Sequence, residues 1–171
     1  MSEEEKNIGV IVVRFMKHLH KRAKGEAADL RQCNDLSEVR RSPALYALID
    51  RLESNEFDVY SKDHIALCAG VMGQFRTDEK ENLRAGKKRV PDALSVGSAS
   101  GDPVFKLGRF RELIQLETPS ELYVPMKRVV RHVGEDVNPF RLAEDMLYFG
   151  ESVRERWAER YYRAVLPNME L

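Results

Sequence analysis

The stretch EKNIGVIVVRFMKHLHKR, residues 5–22, decides the fold class of this chain. It contains the run VIVV at residues 10–13, which by itself looks like a β-strand. Across the whole stretch, however, the apolar residues recur at the spacings of three and four that mark one face of a helix; they are Ile8, Ile11, Val12, Phe15, Met16 and Leu19. We therefore predict a helix from about residue 5 to residue 22, which ends before Gly25.

The remainder of the first 76 residues also carries helix signals. A short helix is expected from about residue 26 to residue 33, followed by a turn at residues 34–35. Ser42-Pro43 is typical of an N-cap with proline at the first helical position, and predicts a helix to about residue 53. Ser61 can cap the next helix, whose apolar face extends to Phe75. Residues 1–76 are thus predicted to form an N-terminal helical bundle.

Helical periodicity is lost between residues 77 and 102. This segment contains Gly86, Pro91, Gly97 and a run rich in serine and glycine. Such composition between periodic segments is typical of loops. We predict that residues 77–102 form a mobile linker or long loop.

Residues 103–171 are predicted to form a C-terminal helical bundle. Pro103 is expected to open a helix carrying Phe105 and Phe110. The sequence TPSE at residues 118–121 has the spacing of a capping box, and Pro125 is expected to kink or restart the helix that follows. Asn138-Pro139 repeats the cap-and-proline pattern, and a last helix should cover about residues 151–166. The predicted fold class is all-α, with two small bundles joined by a linker.

Composition limits the classes of function. The chain has 171 residues, with 28 Lys and Arg against 28 Asp and Glu, so its formal net charge is zero. A strongly basic domain, the usual global sign of a nucleic-acid binder, is therefore absent, and any such function must come from local clusters. No run has the roughly 18 apolar residues of a membrane helix, and the opening MSEEE is the reverse of the basic start of a signal peptide. We expect a cytoplasmic protein with no membrane partner.

No catalytic residue, metal site or cofactor is predicted. His18 and His20 are two residues apart, so on a helix they point about 200° from one another and cannot act as an HExxH pair. The loop GSASG at residues 97–101 lacks the Gly-Lys-Ser/Thr ending of a P-loop. Cys33 and Cys68 are far apart and are expected to be reduced and structural. The chain is therefore not expected to be an enzyme.

Positive charge is sorted along two predicted helices. The first stripe has spacings of three, four and three, and consists of Arg14, Lys17, Lys21 and Lys24. The second lies opposite an apolar face of Met126, Val129, Val130 and Val133, and consists of Lys127, Arg128 and Arg131. Arg109 lies one predicted helix earlier, and a hairpin of its helix with the helix of the second stripe would add Arg109 to that second surface. The loop triplet Lys87-Lys88-Arg89 is a further cluster. Each cluster is either a solvated face or part of a groove that follows a phosphate backbone.

Several short motifs occur in a recognisable order. They are ADLR at 28–31, SEVR at 37–40 leading into PALY at 43–46, RFRELI at 109–114, MKRVVRH at 126–132 and MLYFG at 146–150. In this order and spacing, the chain from about residue 28 to residue 160 resembles the CasB-type small subunit of the type I-E CRISPR Cascade complex. The segment from residue 87 to residue 102 departs from the family in length and composition.

The resemblance implies a non-catalytic, all-helical subunit of an antiviral surveillance complex. Its implied partners are the other Cascade subunits (backbone and large subunits), a second copy of itself, the guide RNA, and the target DNA including its displaced strand. Its implied role is assembly and stabilisation of the R-loop through sequence-independent backbone contacts. With Arg31 and Arg40 carried over from the family-like segments, the candidate nucleic-acid-binding residues are Arg31, Arg40, Lys87, Lys88, Arg89, Arg109, Lys127, Arg128 and Arg131. The alternative is a generic helical protein-interaction module, an adaptor or regulator, without nucleic-acid contacts.

Overall fold

Polar side chains cap the helices at the positions that the sequence predicts. The computed structural model describes residues 7–59, 61–78, 82–97 and 101–168. Each N-cap oxygen accepts a hydrogen bond from a backbone N–H in the first helical turn, and the predicted caps that do so are Ser42, Ser61, Thr118 and Asn138. Asn7 caps the first helix in the same way, by accepting from Gly9 and Val10. These caps satisfy N–H groups that have no partner within their helix.

Ten α-helices and two short 3₁₀ turns account for most of the described residues. The helices are α1 (Ile8–Arg22), α2 (Lys24–Gln32), α3 (Leu36–Arg40), α4 (Pro43–Ser54), α5 (Lys62–Met72), α6 (Val90–Ser95), α7 (Leu107–Ile114), α8 (Pro119–Val133), α9 (Pro139–Leu147) and α10 (Glu151–Val165). The VIVV run lies inside α1, and the β-pairing within the described ranges is limited to isolated bridges. The prediction of an all-α fold is confirmed.

Helix α5 lies at the centre of the core. All its residues from Ile65 to Met72 are buried, and it packs on both α8 and α9. Gly70 allows the close approach to α8, because a Cβ atom there would lie 2.4 Å from the ring of Tyr123. Helix α1 packs on α9 through its apolar face. The predicted N-terminal and C-terminal bundles therefore share an extensive apolar interface, and their division into separate units stays a prediction.

The segment predicted to be a loop contains a helix. Helix α6 buries Val90, Ala93 and Leu94 and packs on α10. Just before it, the Lys88 N–H donates to the Asp136 carbonyl (2.9 Å), and the Asn138 N–H donates to the Lys88 carbonyl (2.7 Å). The expectation of a loop without regular structure is wrong for Val90–Ser95. Six residues without a side-chain N-cap are too few to show a helical period, and tertiary burial stabilises this helix.

Three other local features differ from the sequence predictions. Asp35 caps α3 where only a turn was expected. Helix α7 begins at Leu107 rather than Pro103, because the N–H groups of Val104 and Phe105 donate to the carbonyls of Val96 and Leu94. Helix α8 continues through Pro125 and does not restart there. The long-range backbone hydrogen bonds of residues 104 and 105 thus keep these residues out of α7, and the spacing of apolar residues in the sequence does not predict such bonds.

Candidate nucleic-acid interface

Arg109 and Arg128 come together between α7 and α8. Both side chains are exposed, and both line a cavity of about 240 Å³. The guanidinium carbon of Arg109 lies 4.7 Å from the centre of the Phe105 ring, a cation–π contact that orients the group. Within the described ranges, no carboxylate pairs with Arg128. The structure thus brings together two of the predicted residues, with their charge facing solvent.

Arg131 lies three residues further along α8 and lines a second cavity, of about 300 Å³. Its Nε donates to Oε1 of the buried Gln74 (3.1 Å), which fixes the exposed guanidinium at the end of α5. Three more basic side chains line this cavity, namely Arg76, Arg84 and His132. Glu135 lies on the same wall and approaches Arg84 to 3.9 Å. We call Arg109, Arg128, Arg131, Arg76 and Arg84 together the basic track.

Lys127 does not belong to this exposed surface, and its predicted outward position is wrong. Only 7% of the residue is exposed. Its Nζ donates to the carbonyl of Cys33, which also accepts from the Tyr123 hydroxyl (2.8 Å). Lys127 lies one turn beyond Tyr123 on α8, at the border of the apolar face, so its stem follows that ring into the core.

The environment of Lys127 shifts three pKa values. Burial, with a smaller contribution from the nearby charge of Arg131, lowers the pKa of the Lys127 ammonium. Burial likewise raises the pKa of the Cys33 thiol and of the Tyr123 phenol. Each shift follows from the cost of charge in an apolar setting, and each group has a partner in the protein. The cluster ties the end of α2 to α8.

Arg31 and Arg40, carried over from the family resemblance, make contacts within the protein. Arg31 donates to the carbonyls of Gly73 (3.3 Å) and Phe75 (3.4 Å) after the end of α5. Arg40 pairs with Asp63 (2.7 Å) and lies 3.4 Å from the Ser120 hydroxyl. Both side chains are only partly exposed. Arg40 joins α3 to α5 and α8. The side-chain amide of Gln74 donates to the Arg31 backbone carbonyl and accepts from Arg131.

The triplet Lys87-Lys88-Arg89 lies beside the second cavity. Lys87 and Lys88 are exposed, and Arg89 is partly buried. Asp136, whose carbonyl accepts from Lys88, is also part of the cavity wall. Gly86 permits this contact, because a Cβ atom there would lie 2.5 Å from the Asp136 backbone. Lys87 and Lys88 are therefore exposed in a segment whose backbone is bonded to the wall of the second cavity.

Arg76, Arg84 and His132 were not among the predicted site residues. Arg76 follows the last turn of α5, and Arg84 lies in a segment without periodicity. Neither position belongs to a stripe, so no spacing rule identifies them. His132 stands next to the predicted Arg131, and that adjacency is the one sequence signal for any of the three. Their grouping is a product of tertiary packing.

Two further properties of the described residues concern the predicted function. None of the helices in the described ranges has the length and the hydropathy of a membrane-spanning segment. They also contain no group of three or more His, Cys, Asp or Glu side chains arranged to hold a metal ion. The other stripe predicted from the sequence is exposed on α1, at Arg14, Lys17 and Lys21. Because these three cations are also exposed, their substitution serves as a control for substitutions in the basic track.

Comparison with solved structures shows the same fold in a known assembly. A chain in the crystal structure of E. coli Cascade bound to a PAM-containing dsDNA target has a TM-score of 0.61 with this chain. The alignment covers 92% of this chain and 95% of that one, at 16% sequence identity. No curated protein matches the sequence significantly.

A family model extends this likeness from fold to family. The model, described as CRISPR-associated protein Cse2, matches residues 26–162. This range contains every motif on which the sequence resemblance depends, and the resemblance is confirmed. The chain belongs to the Cse2 family of CRISPR-associated proteins.

Proposed function

We propose that this chain is a non-catalytic small subunit of a Cascade complex, and that it holds opened target DNA and guide RNA by sequence-independent contacts to their phosphate backbones. The observation that carries the proposal is the placement of Arg109, Arg128 and Arg131 along α7 and α8, exposed and next to two cavities. Cations spaced along a surface follow a backbone, whereas base-specific recognition needs groups fixed at base edges.

Local charge of this kind is compatible with a net charge of zero. A subunit with protein neighbours needs neutral or acidic faces for them as well as basic faces for nucleic acid. The partners proposed here are the other Cascade subunits, a second copy of this chain, the guide RNA and both strands of the target. Because R-loop formation exchanges duplexes of nearly equal stability, a few backbone contacts are enough to favour the open state.

The buried ionisable groups support a structural rather than a catalytic role. Perturbed pKa values often mark active sites. Here, however, Lys127 and Tyr123 donate to one buried backbone carbonyl, and Asp145 accepts from the Trp157 indole (2.8 Å) between α9 and α10. These groups join helices and are enclosed by them.

Reconstitution with the other Cascade subunits tests the proposal. The variant Arg109→Glu, Arg128→Glu and Arg131→Glu reverses three exposed charges and is expected to assemble normally but to retain opened target DNA poorly. A matched control reverses three charges on α1, with Arg14→Glu, Lys17→Glu and Lys21→Glu. If the α7/α8 variant retains target DNA as the parent does, the protein-interaction module without nucleic-acid contacts becomes the better account.

A further inference from the structure

The cavity between α7 and α8 has a lining that phosphate contacts do not explain. Its inner wall is apolar, with Phe105 and Leu113 buried and with Leu116 and Pro125 partly buried. A surface that only follows a backbone needs cations spaced along it and gains nothing from an apolar recess. Arg109 and Arg128 of the basic track line this recess as well.

The size of the cavity limits what can enter it. Its volume is about 240 Å³. Pockets for drug-sized ligands span roughly 300–1,000 Å³, so this one fits a smaller group. The group must have an apolar face for the inner wall and must be attached to negative charge, since Arg109 and Arg128 are exposed at the cavity. A single nucleobase on its sugar-phosphate chain has both properties.

The polar groups around the cavity match the two parts of a nucleotide. Arg109 is held against the Phe105 ring, and a guanidinium held in this way offers a flat face on which a base can stack. Glu112 is an exposed acceptor in the same lining, suited to an N–H group on a base edge and unsuited to phosphate. Arg128 approaches from α8 and is left for a neighbouring phosphate.

We propose that this cavity receives one unpaired nucleobase of the strand that the basic track holds, an inference that rests on the proposed function. The base stacks on the Arg109 guanidinium and fills the recess formed by Phe105, Leu113 and Leu116, while Arg128 contacts the adjacent phosphate. The chain then binds an unpaired strand in preference to a duplex, because a base within a duplex cannot enter the cavity.

A comparison of two oligonucleotides at low salt tests the base pocket. One is oligothymidylate, and the other has the same number of phosphates but only abasic sites. We expect the parent to bind oligothymidylate at least about fivefold more tightly, since stacking of one base commonly contributes this much or more. Leu116→Trp fills the cavity without changing any charge and should remove the difference. Leu166→Trp, the same exchange at an exposed position after α10, should preserve it.

The outcomes separate the pocket from the basic track. If the parent binds both oligonucleotides equally, or if a folded Leu116→Trp protein keeps the difference, the base pocket is overturned while salt-dependent backbone binding stands. If the parent binds neither at low salt, the proposed function fails and the pocket fails with it. Should Leu116→Trp lose its helical signal, the smaller Leu116→Phe exchange answers the same question.

Discussion

Lys127 and Arg131 lie one turn apart on α8 and have the same charge, yet the structure uses them differently. Lys127 is buried and donates to the Cys33 carbonyl, whereas Arg131 is exposed and lines a cavity with Arg76 and Arg84. Position around the helix explains the difference. Lys127 borders the apolar face and follows Tyr123 inward, while Arg131 points further from the core. A cation stripe in a sequence therefore does not by itself define a cation stripe on the surface.

The largest effect is expected from Lys127→Glu. The exchange replaces a hydrogen-bond donor with a buried carboxylate. This carboxylate lies against the Cys33 carbonyl oxygen, and two acceptors then face one another. We expect the free energy of unfolding to fall by more than about 2 kcal/mol. Chemical denaturation, monitored by circular dichroism, measures this free energy of unfolding.

Lys127→Met is the matched control for that variant. It keeps an apolar stem of similar length, and the Tyr123 hydroxyl still donates to the Cys33 carbonyl. Its cost should be about 1 kcal/mol. If the glutamate variant is as stable as the parent, Lys127 belongs to the surface after all and the contrast with Arg131 disappears. A charge-reversal test of the basic track that includes Lys127 would confuse unfolding with lost binding.

Gly86→Ala should have the next largest effect, on the segment beside the second cavity. The new Cβ would lie 2.5 Å from the Asp136 backbone, so residues 86–88 must move away from residues 136–138. We expect a loss of about 1–3 kcal/mol and faster tryptic cleavage at Lys87 and Lys88. Gly25→Ala, where nothing lies within 4 Å of the new atom, is the control. Equal cleavage of the Gly86 variant and the parent would show that residues 86–88 do not pack against residues 136–138 in the parent protein.

Sequence patterns predicted the helices well wherever a cap and an apolar period coincide. Ser42, Ser61, Thr118 and Asn138 cap helices as predicted, because an N-cap needs only the residues of its own first turn. Helix α6 and the start of α7 at Leu107 were not predicted, because both depend on contacts with residues that are distant in the sequence.

The candidate site was predictable in part for the same reason. Arg109, Arg128 and Arg131 lie on amphipathic helices, and their exposure follows from the period. Arg76 and Arg84 reach the second cavity from segments without a period, and the inward turn of Lys127 depends on the Cys33 carbonyl, 94 residues away. Local patterns contain no information about such partners.

Arg40→Ala should have the smallest effect on stability. Its ion pair with Asp63 is partly exposed, and pairs of this kind contribute about 0–1 kcal/mol. Because Arg40 is occupied by partners within the protein, we expect its removal to leave the salt dependence of DNA binding unchanged. A slope that becomes flatter by about 0.7 would instead assign Arg40 a phosphate contact. Fluorescence anisotropy at several salt concentrations distinguishes the two.

The central claim is that the exposed arginines of α7 and α8 contact phosphates, and the slope of log affinity against log salt for single-stranded DNA tests it most directly. Each phosphate contact to a single strand contributes about −0.7 to that slope. The variant Arg109→Gln, Arg128→Gln and Arg131→Gln should therefore flatten it by roughly 2. The melting temperature should fall only by the contribution of the Arg131–Gln74 hydrogen bond. The α1 control, Arg14→Gln, Lys17→Gln and Lys21→Gln, removes the same charge and should flatten it far less. Equal slopes for the α7/α8 variant and the parent, or equal flattening by both variants, would contradict the account.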